Sequence, residues 1–311
     1  MSLSISQKLK AIQKVSYLSQ QNLAKEIGVS FATINSWINN RSTPHIKKQK
    51  IINNLYEFYV SGKKEILPSL LLTKHKQLLK LKNKYPNIQQ ILSSRPDIKN
   101  DLILSLTYNT NSLEGSTLTE ADTASIIFDN ISLPQKTITE QLEAKNHQTC
   151  LNYIFDNWLQ SKQLTIDENL LLKFHSILMN GILDNAGIYR THPVRIVGSN
   201  VPTSNWQTIS TKMQKLISEI NTNQKDIIKY IATTHATFEQ IHPFSDGNGR
   251  IGRILMHLIA LRQNMPPILV QNSRKRIYYK YFRQAQLNKN YLLLEDFIYD
   301  SIFESYKILK D

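Results

Sequence analysis

His242-Pro-Phe-Ser-Asp-Gly-Asn-Gly-Arg-Ile-Gly-Arg253 is the stretch on which the reading of this chain turns. Three of the nine glycines, Gly247, Gly249 and Gly252, fall inside it, and the apolar run Ile254 to Leu261 follows at once, so it reads as a glycine turn feeding a helix. Glycine lets successive backbone N–H groups converge into a concave nest, and a helix start adds unpaired donors and the positive end of its dipole. Arg250 and Arg253, three apart, add two forked cations for phosphate oxygens. Just upstream, His242 offers a base whose ordinary pKa suits proton removal near neutrality. Asp246 is a hard oxygen ligand of the kind that shares Mg²⁺ with substrate phosphates. Base, metal carboxylate and anion cradle together imply transfer of a phosphate-containing group from a nucleotide to a hydroxyl. The plainer alternative is a glycine loop capping a helix, with solvated arginines and a packed histidine.

Composition limits the classes. The 311 residues suffice for about two domains, and 41% hydrophobic residues suit a globular chain. No apolar run reaches the roughly 18 residues of a membrane span, and no signal-peptide core is seen at the start, so a cytoplasmic protein is expected. The single cysteine, Cys150, allows neither an internal disulfide nor a zinc cluster. The net charge of +14 is uneven: residues 1 to 64 hold nine Lys and one Arg against two Glu, and residues 65 to 100 add a further +5, leaving the rest nearly neutral. The polyanion-attracting character lies in the first third.

Two domains are expected, over 1–60 and 101–311, joined by a connector over 61–100. In the first, Ser19 caps a helix with an apolar face of Leu23, Ala24 and Ile27, Gly28 supplies a left-handed turn, and a second helix from Ser30 buries Ile34, Trp37 and Ile38. This resembles the helix-turn-helix of phage repressors. The resemblance implies double-stranded DNA as partner, with Gln20, Gln21, Ser30, Ala32, Thr33 and Asn35 as contact residues. A helical bundle for protein contact is the alternative. Residues 61–100 read as basic connector helices punctuated by Pro86 and Pro96.

The motif itself resembles the signature of the Fic family, H-P-F-x-D-G-N-G-R-x-x-R, at every fixed position. The resemblance implies a mostly α fold, a Fic-type helical core with a small β-hairpin flap, preceded by the helix-turn-helix bundle. It implies a protein adenylyltransferase with ATP as substrate and Mg²⁺. In that reading His242 is the base, Asp246 holds the metal, and Gly247, Asn248, Gly249, Arg250 and Arg253 hold the phosphates. Tyr279 and Gln286 then lie near adenine and ribose, with Gln286 standing where relatives often carry Asn. Thr110-Asn-Ser-Leu-Glu114-Gly115, otherwise an ordinary helix end, resembles the family's inhibitory motif, [S/T]-x-x-x-E-[G/N]. That resemblance implies an inhibitory helix near 108–115 in which Glu114 pairs with Arg253. Val194, Arg195, Ile196, Val197 and Gly198 resemble the flap that docks a target; a plain surface hairpin is the alternative. Partners implied are a target protein with a Ser, Thr or Tyr hydroxyl and, for the first domain, DNA; a membrane is not among them, and a homodimer stays open. Two rival functions remain, removal of AMP from a protein by the same site and a nucleotide-responsive transcriptional regulator.

Overall fold

The computed structural model describes residues 3–16, 19–57, 60, 68–160, 165–196, 201–222 and 226–310. These divide into two units, Met1–Leu67 and Pro68–Asp311. In the first, helices α1 (Ile5–Ser16), α2 (Gln20–Ile27), α3 (Phe31–Ile38) and α4 (Ile46–Tyr56) close over Leu9, Ile12, Leu23, Ile27, Ile34 and Ile52. The expected turn chemistry is present. Ser19 accepts from the N–H of Asn22, Ser30 from that of Thr33, and Gly28 sits at φ 70°, where a side chain would be strained. Lys48 donates its ammonium to the carbonyls of Ile27 and Gly28, satisfying the end of α2.

The second unit contains α5 (Pro68–Lys84), α6 (Ile88–Ser94), α7 (Pro96–Glu114), α8 (Glu120–Ile127), α9 (Ile138–Gln160) and α10 (Glu168–Leu178). It continues with α11 (Ile209–Ile220), α12 (Ile227–Ile241), α13 (Asn248–Arg262), α14 (Lys275–Asn288) and α15 (Leu292–Ile308). From Pro68 onward the basic stretch docks on this unit. Lys74 pairs with Asp296 at 2.7 Å and with Asp300, and Gln89 donates to the carbonyl of Trp158 at 2.7 Å. Helix α13 is the centre: it is buried from Arg250 to Leu261, as expected for a helix apolar nearly all round, and α7, α10 and α12 pack on it.

One sequence expectation is corrected here. No β-strand forms among the described residues, so the hairpin flap is not seen; Val197 and Gly198 lie outside them. Val194 and Ile196 are half-buried and Arg195 exposed, which keeps the alternation of a strand without its ladder. The physical reason is that side chains take the backbone acceptors. Thr203 donates its hydroxyl to the Val194 carbonyl at 2.7 Å, and buried Arg190 donates to the carbonyls of His192 and Ser204 at 2.6 Å each. Its Nε reaches the His242 carbonyl at 2.8 Å, while the Arg190 N–H donates to the Pro243 carbonyl at 2.9 Å.

Arg190 thus gathers carbonyls from two loops around one guanidinium, and truncating it strands them. Arg190→Ala is expected to lower unfolding stability by on the order of 3 kcal/mol in a urea titration, with Arg190→Lys recovering only part, since an ammonium lacks the fork.

Candidate active site

The glycine turn is shaped by its own side chains. Asn248 accepts from the Phe244 N–H and donates to the Phe244 carbonyl, both at 2.9 Å, closing residues 244 to 248 into a loop. Gly247 takes φ 76° as the residue preceding α13, and the Gly247 N–H donates to Asp246 Oδ1 at 2.6 Å. From α10, His175 stacks on Phe244 at 3.8 Å and bridges the Asp246 carbonyl at 3.0 Å and the Gly187 N–H at 2.8 Å. Because Nδ1 accepts from Gly187, Nε2 carries the proton. Burial pulls the His175 pKa down to about 4, so this ring is a neutral strut and not a base.

His242 stands where α12 ends. It adopts the left-handed region at φ 51°, ψ 62°, which turns the chain out of the helix and aims the motif back along α13. Its Nδ1 lies 3.3 Å from the Glu239 carbonyl and 3.7 Å from Glu239 Oε2. Nδ1 is therefore the protonated nitrogen and Nε2 the free acceptor. Burial holds its pKa below the ordinary histidine value, partly offset by the Glu239 carbonyl, so the ring is uncharged at neutral pH.

Arg250 in the first turn of α13 and Arg253 in the second are both buried and paired. Arg250 donates to Glu143 of α9 at 2.6 Å and has Asp246 at 3.9 Å; Arg253 donates through Nε to the Thr110 hydroxyl at 2.6 Å and through Nη2 to the Glu114 carboxylate. Burial opposes the charge on Arg253, but Glu114 and the nearby tyrosine oxygens outweigh it and hold its pKa above the usual value. Glu114 is shifted the other way. Burial works against its carboxylate, yet the charge and hydrogen bond of Arg253, with Arg250 and Lys275 beyond, depress its pKa. The Glu114 carboxylate also occupies the space over Gly249, where any Cβ would collide with it. It lies across the start of α13, where the helix presents its unpaired N–H groups.

Tyr279, partly exposed, lies beside the end of α7, its hydroxyl 3.5 Å from the Leu113 carbonyl. Gln286 is buried and donates to the Ala236 carbonyl of α12 at 3.2 Å. The Asp246 side chain is 64% exposed, beside the cradle. In the first unit Gln21, Ser30 and Ala32 are exposed, Gln20 and Thr33 half-buried, and Asn35 donates to Gln20 at 3.0 Å. Four residues that sequence reasoning passed over prove central: Glu143, His175, Arg190 and Glu239. For Glu143, His175 and Glu239 the sequence signal was a polar residue within a helix, which names no partner; Arg190, outside the helices, carried none.

Against known proteins, residues 165–260 match the model of the Fic/DOC family. The chain carries a Fic/DOC domain. Residues 16–56 match a helix-turn-helix model. Among curated relatives, the chain is 30% identical over 182 residues to a protein adenylyltransferase Fic of Nematostella vectensis, covering 57% of this chain and 42% of that one. It is 32% identical over 181 residues to its namesake in Aedes aegypti, covering 57% and 36%. The matched part is thus less than half the length of either relative. A Fic domain containing signaling protein from Bacteroides thetaiotaomicron superposes with TM-score 0.65 at 21% identity, covering 76% of this chain and 97% of that one. Among the described residues no helix is long and apolar enough to cross a membrane.

The depressed pKa of Glu114 has a pH signature. A carboxylate stabilised in the folded second unit contributes above its ordinary pKa and loses that contribution as pH falls through the depressed value. The difference in melting temperature between the parent chain and Glu114→Gln is therefore expected to be largest at neutral pH and to shrink steadily on acidification, read by calorimetry from about pH 7 to about pH 3.

Proposed function

We propose that the Fic/DOC domain transfers AMP from ATP to a Ser, Thr or Tyr hydroxyl of a target protein, and that Glu114 restrains it. The observation that carries this reading is the juxtaposition at the start of α13. An uncharged imidazole with a free Nε2, a helix N-terminus and two buried guanidiniums converge there, with an internal carboxylate already on one of them.

In this mechanism the α13 N-terminus and the two arginines hold the ATP phosphates, and Nε2 of His242 removes the proton of the target hydroxyl. The hydroxyl oxygen forms a bond to the α-phosphorus as the bond to the departing pyrophosphate breaks. Asn248 serves through its backbone, since its side chain is engaged in closing the loop. Tyr279 and Gln286 flank the adenine and ribose, Gln286 through the position it gives α12 against α14. For Mg²⁺ the fit rests on donor chemistry. Among the described residues no group of three or more His, Cys, Asp and Glu encloses an ion, so Asp246 would share the metal with water and phosphate oxygens, a usual Mg²⁺ arrangement. The metal would screen charge on the phosphates.

Thr110 and Glu114 restrain the site by competition. While Glu114 neutralises Arg253 and covers Gly249, a nucleotide's terminal phosphate cannot take the same place. The Val194–Ile196 segment, with Arg195 exposed, then remains the candidate docking edge for the target, without a hairpin.

A second reading concerns the first unit. Its match to a helix-turn-helix model, the charge of +8 on residues 1–64 and the exposed start of α3 support contact with double-stranded DNA by Gln20, Gln21, Ser30, Ala32, Thr33 and Asn35.

With α-labelled ATP and lysate proteins, the parent chain is expected to label weakly, Glu114→Gly at least about tenfold more, and Glu114→Gly with His242→Ala not at all, a loss on the scale of removing a general base. No transfer by folded Glu114→Gly would sink adenylylation, and equal labelling with and without Glu114 would sink the restraint. Release of AMP from a pre-modified target by the parent chain would instead give Glu114 the task of orienting water. For the first unit, Ala32→Glu with Thr33→Glu is expected to weaken binding of the full chain to mixed-sequence duplex DNA by about tenfold or more at low salt. Unchanged binding would remove α3 as the reader.

A further inference from the structure

Glu239 is a buried acid that the mechanism above does not use. It sits on α12 one turn before His242, its carboxyl 11% exposed and 3.7 Å from the nitrogen of His242 opposite the one that acts as base. Gly252 of α13 leaves the room: a Cβ there would lie 2.8 Å from Glu239 Oε1 and 2.9 Å from the ring of His235. The groups facing Glu239 are Arg253 from α13, Glu114 from α7, and Tyr278 and Tyr279 from α14. Those facing His242 besides Glu239 are Arg190, Asp246 and Glu114. Packing alone gives no reason for an acid at this place, where a neutral side chain would avoid burying a charge.

Resting on the reading of His242 as the base, we propose that Glu239 is a positioning residue that stabilises the imidazolium formed when His242 takes a proton, and that Glu114 governs whether Glu239 carries the charge to do so. Burial, with the charge of Glu114 adding to it and Arg253 opposing it, pushes the Glu239 carboxyl up to about 8. In the restrained state Glu239 is therefore largely protonated at neutral pH and offers His242 a dipole, not an anion. Withdrawal of Glu114 removes a like charge and strips Arg253 of its counter-ion; both changes favour the Glu239 carboxylate. A carboxylate beside Nδ1 then makes the imidazole a better base and keeps the proton on Nδ1 beforehand. The restraint in this scheme acts twice, once on the phosphate site and once on the base.

The test is a four-protein cycle in the full chain without nucleotide: parent, Glu239→Gln, Glu114→Gly and the double variant. The His242 pKa and tautomer are read from isotope-labelled histidine by NMR, with the His242 signal identified by its loss in His242→Ala. Glu239→Gln is expected to lower the His242 pKa by about one unit in the Glu114→Gly background, the scale of a partly screened charge pair at about 4 Å, and by little in the parent. An equal shift in both backgrounds, or none in the Glu114→Gly background, overturns the linkage. Should Glu239→Gln fail to fold, Glu239→Asp replaces it and is expected to retain part of the elevated His242 pKa in the Glu114→Gly background. In that background Glu239→Gln is also expected to lower kcat for transfer by about tenfold while leaving KM for ATP within about twofold, the pattern of a group acting in the transition state. Unchanged kcat there counts against the proposal. The NMR cycle needs no turnover, so an NMR shift without AMP transfer would refute adenylylation while leaving the Glu239 linkage supported.

Discussion

A guanidinium cannot be left unpaired in a protein interior, and Arg253 lies in the second turn of the central helix with only 2% of its side chain exposed. Its partners come from the far end of α7, where Thr110 supplies a hydroxyl and Glu114 a carboxylate. That pairing dictates where α7 must stop. Gly115, at φ 109°, ends the helix so that Glu114 falls on its last turn, and the Gly115 N–H closes back on the carbonyl of Ser112. Arg250 makes the same demand of α9 through Glu143. The two longest helices of the unit are thus held to the glycine motif by charge as well as by packing.

Breaking such a pair from one side leaves a buried ion, whereas exchanging one anion for another does not. A nucleotide phosphate is an anion of the right kind. The arrangement therefore favours substitution over simple loss: whatever displaces Glu114 has to bring negative charge with it, or admit water to Arg253. Around this guanidinium the acids diverge. Glu114, touching it, is held below the usual carboxylate range; Glu239, buried beside the uncharged ring of His242, is held well above. Carboxyls whose surroundings push their pKa values apart are a mark of sites that handle protons.

His242 is held in place by neighbours on several sides. His175 stays neutral and holds the Asp246 carbonyl, Asn248 locks the loop at Phe244, and Arg190 holds the carbonyl of His242 itself. With the backbone tied on three sides, the imidazole has little freedom to turn away, the pre-orientation that the proposed proton transfer would need.

Much of this was legible in residue order, because the signals are local. Ser19, Ser30, Gly28 and Gly115 mark helix ends through hydrogen bonds spanning about one turn, and the glycine motif brings its chemistry within twelve neighbouring residues. The hairpin was misread for the converse reason: alternation at Val194 to Ile196 sets which side chains point inward, but cannot say whether a neighbouring strand or a hydroxyl such as that of Thr203 will take the carbonyls. Glu143 meets Arg250 across 107 residues and Glu114 meets Arg253 across 139. A motif resemblance anticipated the second pair, and nothing anticipated the first. Which distant acid faces which buried cation, and hence which carboxyl gains or loses its proton, follows from how helices stack, and stacking is a property of the folded chain as a whole.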